Sequence, residues 1–327
     1  MDGTSTDILR LARNFMESRI LLTASELDLF TILSDAPLSA GETAERTGAD
    51  VRALTFLLDA LAAMKLVVKE GGAYRTAPAV SAVLSGSHRD SVLPMVLHAA
   101  HLWRRWSRLT DIVRGGKEPP AEPAWRDEEM KAFIGAMHVV AEPVAAGIAE
   151  AVHPGASKAL LDVGGASGTY TIAFLRAVPG MRATLFDRPG VVEMARKRLA
   201  ETGLLGRVTL VSGDFSRDEL PGGHDLALIS AIIHQNSPDE NLRLFRKVNR
   251  ALTGGGRIVI RDHVMEPDRA HPKDGAIFAI NMLVGTEGGG TYTFGEIESW
   301  LDAAGFTRVR LLKKGEHMDA LVEAFKP

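Results

Sequence analysis

The chain has 327 residues, of which 46% are hydrophobic and 24% are charged, as in ordinary globular proteins. Its formal net charge of −3 indicates neither a nucleic-acid surface nor affinity for anionic membranes. The absence of cysteine excludes disulfides, zinc knuckles, iron–sulfur clusters and thiol catalysis. The start shows no signal-peptide pattern, and no apolar run approaches the roughly 18 residues of a membrane span. We therefore expect a cytoplasmic protein with no nucleic-acid or membrane partner.

Residues 1–90 have the pattern of a winged helix. Apolar residues at helical spacing run through "TDILRLARNFMESRILLTASELDLFTILS". Ser39 and Glu42 then form a capping box that opens a short helix, and Asp50 can cap the next one. Two strand-like pieces joined by Gly71-Gly72 follow and predict a β-hairpin. This pattern is typical of DNA-binding domains and also of dimerisation domains.

The charge of the would-be recognition helix, residues 51–65, argues against DNA binding. This helix offers only Arg52 and Lys65 as cations, whereas phosphate contacts need a cluster of Lys and Arg. We therefore favour a homodimerisation domain whose apolar helices pack against a second copy. A winged-helix transcription regulator remains the alternative from another class of protein.

Residues 91–153 are predicted to be a helical linker. "SVLPMVLHAAHLWRRWSRLTDIVRGG" reads as one long amphipathic helix that ends at Gly115-Gly116. "RDEEMKAFIGAMHVVAEPVAAGIAEAV" reads as a second helix, which Pro143 is expected to kink or split.

Residues 154–327 show the alternation of an α/β domain. Short apolar runs such as "KALLDVGG", "RATLFD" and "HDLALIS" are separated by segments with helical periodicity. This alternation predicts βαβ units and a parallel, doubly wound sheet. The last two strand-like runs are separated by only Lys314-Gly315-Glu316, too few residues for a crossover helix. They predict an antiparallel hairpin that closes the sheet.

A glycine-rich turn, "LLDVGGASGTY", follows the first of these strands. Gly164, Gly165 and Gly168 let the backbone turn tightly, and the next helix directs its N-terminal N–H groups to the same place. Ligands of open α/β sheets bind at such carboxyl ends of strands. The alternative is a glycine-rich turn that binds nothing.

Acidic residues end the next two strands. Asp187, in "TLFDRPG", could accept hydrogen bonds from both hydroxyls of a ribose. Asp214 and Phe215, in "LVSGDF", could hold an adenine between a carboxylate and an aromatic ring. A solvated strand end is the alternative for each carboxylate alone, but the three consecutive strand ends together indicate a nucleoside-containing cofactor.

The chain resembles the class I S-adenosylmethionine (SAM)-dependent methyltransferases of the caffeate and hydroxyindole O-methyltransferase type. The resemblance covers the whole chain through "LLDVGGASGTY", "FDRPGVVE", "SGDF", "HQNSPDENLRLFRKVNRAL", "GGRIVIRD" and "AAGF". It implies a Rossmann-like methyltransferase domain at 154–327, a winged-helix dimerisation domain at 1–90 and a linker at 91–153 that contributes to the substrate pocket. It also implies a homodimer that uses SAM, releases S-adenosylhomocysteine (SAH) and needs no metal. Asp162 and Gly164 would line the methionine part of the cofactor.

The resemblance assigns His234 as general base. It would remove the proton from an acceptor hydroxyl as the oxygen attacks the methyl group, and a neutral imidazole suits that task near neutral pH. Asp262 matches the acid that orients this base in the family. His263, next along the strand, is a less favoured base because alternation would point it away from Asp262.

Five residues depart from the family pattern. Gln235-Asn236 replaces the usual Asp-Trp after the base, and Ala166 replaces a glycine of the turn. Ser230, which we count among the cofactor-binding residues, replaces a lysine, and Thr291 stands where plant enzymes have a second orienting glutamate. These departures keep open a second enzyme function, in which the protein binds the cofactor but hydroxylates or decarboxylates its substrate.

The substrate wall is expected to come from the linker and from "FAINMLVGTEGGGTYTF". Seven residues are candidates for it, three of them from helix placement and four from the resemblance: Trp103, Met137, His138, Asn281, Met282, Thr286 and Thr291. For Met137 and Met282, filling of the core is an equally good interpretation. An apolar wall with a few polar groups would suit a small aromatic or polyketide-like acceptor.

Overall fold

The computed structural model describes residues 3–88, 91–115 and 127–327. The chain divides into two compact units, Met1–Arg104 and Arg105–Pro327. The predicted boundary at residue 90 lies outside the described residues. The finer division into 1–90, 91–153 and 154–327 therefore stays a prediction.

The N-terminal unit contains the predicted winged helix. Its elements are, in chain order, α1 (Ser5–Arg13), α2 (Phe15–Glu26), α3 (Leu29–Asp35), β1 (Leu38–Ser39), α4 (Ala40–Thr47), α5 (Val51–Ala63), β2 (Val67–Glu70), β3 (Ala73–Thr76), α6 (Pro78–Leu84) and α7 (Leu93–Trp106), which runs past the unit boundary. The strands form one antiparallel sheet in the order β1-β3-β2.

Local sequence signals explain how these elements begin and end. Ser39 and Glu42 make the reciprocal capping box of α4, and the side chain of Asp50 accepts a hydrogen bond from the N–H of Ala53 in α5. Gly71 and Gly72 have φ of +55° and +83°, which the turn between β2 and β3 requires. Three leucines of α5 are fully or almost fully buried in the core of this unit: Leu54, Leu58 and Leu61.

The predicted long helix after residue 91 is wrong in one respect, because it is two helices. The first is α7, and the second is α8 (Leu109–Gly115). Between them the N–H of Arg108 bonds to the carbonyl of Arg105, three residues back, which interrupts the α-helical ladder.

The next helix, α9 (Asp127–Val152), continues through Pro143 without being split. Its segment Phe133–Val152 is long and apolar enough to cross a membrane, with a mean hydropathy of 1.3, so the expectation that no run comes close was wrong. Ile148, Ala149 and Val152 are buried in the core beside α10 (Thr169–Ala177). The core helices of soluble proteins can be equally long and apolar, so length and apolarity alone are weak evidence for a membrane span.

The C-terminal unit is built on a seven-stranded sheet. Its other elements are β4 (Ala159–Val163), β5 (Arg182–Asp187), α11 (Pro189–Glu201), β6 (Val208–Ser212), β7 (His224–Ser230), α12 (Pro238–Ala251), β8 (Leu252–Asp262), β9 (Val264–Met265), α13 (Lys273–Gly285), β10 (Tyr292–Thr293), α14 (Phe294–Ala303), β11 (Thr307–Lys313) and β12 (Ala320–Phe325). The strand order is β11-β12-β8-β7-β4-β5-β6. The five strands from β8 to β6 pair in parallel, and β12 is antiparallel to β8 and β11. The predicted α/β class and the closing antiparallel hairpin are confirmed.

The sheet separates two hydrophobic cores. Ile229 and Ile260 face the core that contains α12 and α14, whereas Leu228 and Val259 face the core that contains α9 and α10. Because side chains alternate along a strand, neighbouring residues at a strand end belong to opposite sides of the sheet. This alternation decides which polar groups meet at the carboxyl ends of β4, β7 and β8.

Candidate active site

His234 and Asp262 form a hydrogen-bonded pair at the carboxyl ends of β7 and β8. His234 lies in a 3-10 turn, Ile233–Gln235, just before α12, and Asp262 is the last residue of β8. The Nδ1 atom of His234 lies 3.0 Å from both carboxylate oxygens of Asp262. The Asp262 side chain is 1% exposed and that of His234 is 13% exposed. The structure thus brings together the two residues predicted to be base and orienter.

The charge of Asp262 determines which nitrogen of His234 carries the proton. Burial alone would raise the pKa of Asp262, but the charge and hydrogen bond of His234, together with the N–H of His263, hold it below its usual value. An ionised carboxylate can only accept hydrogen bonds, so Nδ1 of His234 is the donor. In a neutral imidazole this leaves Nε2 with a lone pair, which is the arrangement a general base needs.

Two features around His234 were not found from the sequence. The ring of Phe278, on α13, contacts the rings of both His234 and His263, with centroids 4.9 Å and 5.0 Å apart. The N–H of Gly290 donates to the carbonyl of His234 over 2.9 Å, and the tight packing of Gly289 against that carbonyl leaves no room for a side chain. An aromatic residue in an apolar helix looks like core filling, but the run Gly288-Gly289-Gly290 was a signal of close backbone approach.

The glycines after β4 are packed closely by other side chains. Gly164 has φ +67°, and a Cβ there would lie 2.5 Å from Cδ1 of Ile232. A Cβ on Gly165 would lie 2.7 Å from Cγ of Leu185, and Gly168, with φ +81°, is the N-cap of α10. These glycines therefore have a packing reason that holds with or without a ligand.

Asp187, at the end of β5, is tied to the glycine-rich turn. Its two carboxylate oxygens accept hydrogen bonds from the N–H groups of Ala166, at 2.9 Å, and Arg188, at 2.7 Å. Ala166 holds φ +49°, a conformation that glycine would adopt at lower cost. Burial raises the pKa of Asp187 despite these hydrogen bonds. Each oxygen keeps a lone pair that a ribose hydroxyl could use.

Asp214 and Phe215 follow β6, and the ring of Phe215 lies beside the same turn. The carboxylate of Asp214 accepts from the N–H and hydroxyl of Ser216, and this hydroxyl lowers its pKa most. The Asp214 side chain is 44% exposed. A Cβ on Gly164 would lie 3.7 Å from Cε1 of Phe215, so the ring reaches the end of β4.

Asp162, near the end of β4, is buried and forms no ion pair with a cation in the described part of the chain. Its side chain accepts a hydrogen bond from the Thr171 hydroxyl over 2.6 Å. Burial raises its pKa from 3.8 to about 6, with a further contribution from the charge of Asp187, while the hydrogen bonds of Thr171 oppose the rise. A buried carboxylate of this kind is more typical of functional sites than of ordinary cores.

The seven substrate candidates lie in different surroundings. Trp103 belongs to the N-terminal unit, where its ring lies 6.3 Å from that of Phe15. In the C-terminal unit, the side-chain oxygen of Asn281 accepts from Nε1 of Trp106, and the hydroxyl of Thr286 donates to the carbonyl of Met282. The remaining candidates are buried or half-buried: Met137, His138, Met282 and Thr291.

His138 already has two partners within the C-terminal unit. Its Nε2 lies 2.6 Å from a guanidinium nitrogen of Arg198, and its Nδ1 lies 2.9 Å from the hydroxyl of Thr169. Because a guanidinium can only donate, Nε2 accepts and Nδ1 carries the proton. His138 therefore links α9, α10 and α11.

Among the residues that the structure describes, no group of three or more His, Asp or Glu side chains is placed to hold a metal ion.

Comparison with known proteins identifies the family. Residues 121–307 match the O-methyltransferase domain, and residues 9–86 match the O-methyltransferase dimerisation domain. The chain belongs to the SAM-dependent O-methyltransferases. The expected family, enzyme class and cofactor are thereby confirmed, and neither the non-methylating enzyme nor the transcription regulator is favoured.

Relatives match over nearly the whole chain. The tetracenomycin polyketide synthesis 8-O-methyltransferase TcmO of Streptomyces glaucescens is 34% identical over 93% of this chain and 92% of its own length. The 3-hydroxy-5-methyl-1-naphthoate 3-O-methyltransferase of Streptomyces sahachiroi is 31% identical over 93% of this chain and 90% of its own. Human N-acetylserotonin methyltransferase, solved in complex with SAM, is 26% identical with a TM-score of 0.85, covering 100% of this chain and 98% of the other.

The side chains at the strand ends fit SAM chemically. Asp187 offers two carboxylate oxygens to a ribose, and Phe215 offers a ring beside the glycine-rich turn. The closely packed glycine-rich turn leads into the N-terminus of α10. The buried, uncompensated carboxylate of Asp162 suits a cationic ligand group.

Proposed function

We propose that the protein transfers the methyl group of SAM to a hydroxyl oxygen of a small aromatic or polyketide-like acceptor, with His234 as general base. The buried pair of His234 and Asp262 is the observation that carries this proposal, because it leaves Nε2 of His234 able to accept a proton. No described residue donates a hydrogen bond to that nitrogen.

The chain's own contribution to the reaction is proton removal and alignment. SAM supplies a methyl group on a positively charged sulfur, which a hydroxyl oxygen can attack. His234 takes the hydroxyl proton on Nε2 as the new oxygen–carbon bond forms. Asp262 holds the ring in one tautomer and stabilises the imidazolium that results. Phe278, packed against the His234 ring, further restricts its orientation.

We assign cofactor binding to the residues at the ends of β4, β5, β6 and β7. They share a position at one edge of the sheet: Asp162, Gly164, Gly165, Gly168, Asp187, Asp214, Phe215 and Ser230. Support comes from the contacts that join them, since Ala166 links the turn to Asp187 and the Phe215 ring reaches Gly164. Ligands of parallel α/β sheets bind at this edge.

The acceptor class follows from the relatives. The name of one assigns it to tetracenomycin polyketide synthesis, and the name of another specifies 3-hydroxy-5-methyl-1-naphthoate. Met137, Met282 and Thr291 remain our candidates for the acceptor wall. Trp103, His138, Asn281 and Thr286 are also proposed there, although the last three already have hydrogen-bond partners in the C-terminal unit.

The assembly we propose is a cytoplasmic homodimer. Its support is the match of residues 9–86 to a dimerisation domain and a row of exposed apolar side chains on α1 and α2. That row consists of Ile8, Leu9, Leu11, Phe15 and Met16. The low charge of α5 supports the absence of a nucleic-acid partner.

The test combines cofactor binding with product detection. SAH binding is measured by calorimetry for the wild type and Asp187→Ala, and a panel of phenols, naphthols and hydroxyquinones is then incubated with SAM and examined by mass spectrometry. We expect SAH binding that Asp187→Ala weakens strongly, and a product one CH2 heavier than its acceptor. His234→Ala should lower the rate of its formation about 10²- to 10⁴-fold.

A matched control separates the base from a general effect of losing a histidine. His271 lies on the surface, 72% exposed, and pairs with Asp268. His271→Ala should leave product formation unchanged. Equal activity in His234→Ala and wild type would refute the assignment of the base, and failure of the wild type to bind SAH would refute the cofactor site.

A further inference from the structure

A second polar cluster lies on the other side of the sheet from His234 and Asp262. In the parallel registers, Asp162 is opposite Leu228, and Ser230 is opposite Arg261. Side chains in register point to the same side of a sheet, and Leu228 and Ser230 are two residues apart on β7. Asp162, Ser230 and Arg261 therefore share the side that carries α9 and α10, at the carboxyl ends of three adjacent strands.

Arg261 is a buried cation that forms no ion pair with a carboxylate among the described residues. It is 5% exposed, and its hydrogen bond is to the Ser230 hydroxyl, over 3.3 Å. Its Nε is fully buried and has no hydrogen-bond partner among the described residues. The charge of Arg261 helps to lower the pKa of Asp319. The ion pair of Asp319, however, is with Lys313, whose Nζ lies 2.7 Å from its carboxylate.

Tyr170, on the first turn of α10, completes the cluster. Its ring lies under the Arg261 guanidinium, 5.1 Å from centroid to Cζ. The residue is 8% exposed, and its hydroxyl, which the Ser230 side chain approaches, makes no hydrogen bond of normal geometry in the described part of the chain. An N–H and an O–H donor therefore both lack a well-placed acceptor in one buried place.

Such an arrangement is expensive unless a ligand completes it. Buried donors without acceptors cost free energy, and a buried guanidinium without an anion costs more. The stacked tyrosine and the Ser230 hydroxyl offset only part of that cost, since neither carries a negative charge. The cluster is complementary to a small anion that accepts two or three hydrogen bonds.

We propose that Arg261 and Tyr170 bind the carboxylate of the cofactor's amino-acid part, next to Ser230. A carboxylate matches a guanidinium in charge and geometry. The amino-acid part of SAM carries one carboxylate and one ammonium. Asp162, an anion on the same side of the sheet, suits the ammonium as Arg261 suits the carboxylate. The inference rests on the assignment of the cofactor to these strand ends.

The test compares two ligands that differ only in that carboxylate. They are SAH and decarboxylated SAH, which keeps the ammonium and the adenosine, and binding is measured by calorimetry without any acceptor. In Arg261→Met, which keeps an unbranched apolar side chain as far as the position of Nε and removes the charge, affinity for SAH should fall roughly tenfold to a hundredfold. Affinity for decarboxylated SAH should change less than about threefold.

Three further variants sharpen the comparison. Arg261→Lys keeps the charge and should recover part of the affinity for SAH. Tyr170→Phe removes only the hydroxyl and should weaken SAH binding several-fold, again without effect on decarboxylated SAH. Arg250→Met, which removes a surface cation paired with Glu219, is the control and should leave both affinities unchanged.

The outcomes are distinguishable. Unchanged SAH binding in Arg261→Met, or equal losses for the two ligands, would overturn the proposal. If Arg261→Met fails to fold, absence of a selective loss in both Arg261→Lys and Tyr170→Phe would overturn it equally. Because no acceptor is present, a selective loss supports the carboxylate site even if the proposed methylation of a hydroxyl fails.

Discussion

Two aspartates at the same edge of the sheet show how differently a buried carboxylate can be treated. Asp162 on β4 and Asp262 on β8 are each 1% exposed. Asp262 has His234 within 3.0 Å and a pKa held below its usual value. Asp162 has the neutral hydroxyl of Thr171, and burial raises its pKa to about 6.

The difference indicates which part of the site is complete before a ligand binds. The carboxylate of Asp262 is hydrogen-bonded within the chain by Nδ1 of His234 and the N–H of His263. On the other side of the sheet, Asp162 and Arg261 form no ion pair with another described residue, and Nε of Arg261 has no hydrogen-bond partner there. The base is therefore preorganised. On the proposed cofactor side, burial of the charges of Asp162 and Arg261 costs free energy until the binding of the cofactor offsets that cost.

The largest effect is expected from His234→Ala, which removes the partner that distinguishes Asp262. Loss of a general base costs about 10²- to 10⁴-fold in rate, so kcat for the best acceptor should fall by that amount. Affinity for SAH, measured by calorimetry, should stay within about threefold of wild type. A strong loss of SAH binding together with kcat would mean that the two sides of the sheet are not separate in function.

A smaller loss of activity is expected from Asp262→Asn. The amide keeps the shape of the carboxylate but no longer stabilises the imidazolium, so kcat should fall by about 100-fold. The folded-state pKa of Asp262 is lowered, so its ionised form contributes stability above the unfolded pKa of 3.8 that is lost as pH falls through the folded value.

The same variant should therefore unfold more easily than wild type at neutral pH, by about 1–2 kcal/mol. The deficit should shrink below about pH 4, where the wild type also loses the ionised form. Denaturant unfolding at both pH values measures it. If Asp262→Asn were as stable as wild type at pH 7, the ionised carboxylate of Asp262 would not contribute to the stability of the protein.

Asp162→Asn should raise the free energy of unfolding at neutral pH, whereas Asp262→Asn should lower it. The folded-state pKa of Asp162 is raised from 3.8 to about 6, so the wild type pays for ionising it as pH rises through this interval. A rise of this size corresponds to about 3 kcal/mol as an upper limit. An asparagine oxygen can still accept from Thr171.

We expect the unliganded variant to be about 1–3 kcal/mol more stable than wild type at pH 7 and equally stable near pH 4. Denaturant unfolding checks the stability, and calorimetry should show weaker SAH binding, since the proposed partner of the ammonium is gone. A loss of stability at pH 7 would mean that both substitutions destabilise the protein and that the proposed difference between the two aspartates is wrong.

The sequence predicted the fold wherever a local signal and the tertiary structure agree. The capping box of Ser39, the glycines of the β2–β3 turn and the alternation after residue 154 each specify one conformation. The break between α7 and α8 was missed because "WRRWSRL" contains neither glycine nor proline, and helical periodicity continues across it.

The site was predictable in its strand ends but not in its second polar cluster. His234 and Asp262 were found from the resemblance. The register of β7 and β8 brings the ends of these two strands together and so makes their contact possible. Arg261 and Tyr170 carried no signal in the sequence. A charged residue near a strand end is usually solvated, and only the three-dimensional packing shows that Arg261 is buried and that Tyr170 lies beside it. Phe278 was missed because an aromatic residue in an apolar helix looks like core filling.

The smallest effect we expect is from Gly164→Ala, which tests whether the turn beside Asp162 is shaped for packing as well as for ligand. The added Cβ would lie 2.5 Å from Cδ1 of Ile232, at a φ of +67° that alanine adopts only with strain. The free energy of unfolding should fall by about 1–2 kcal/mol.

Gly190→Ala, in the first turn of α11 with nothing near its Cβ, is the matched control and should be neutral or slightly stabilising. If Gly164→Ala weakens SAH binding without loss of stability, the glycine serves ligand approach alone. If it loses stability with unchanged SAH binding, the turn is a packing feature and the cofactor side of the comparison rests on Asp162 and Arg261.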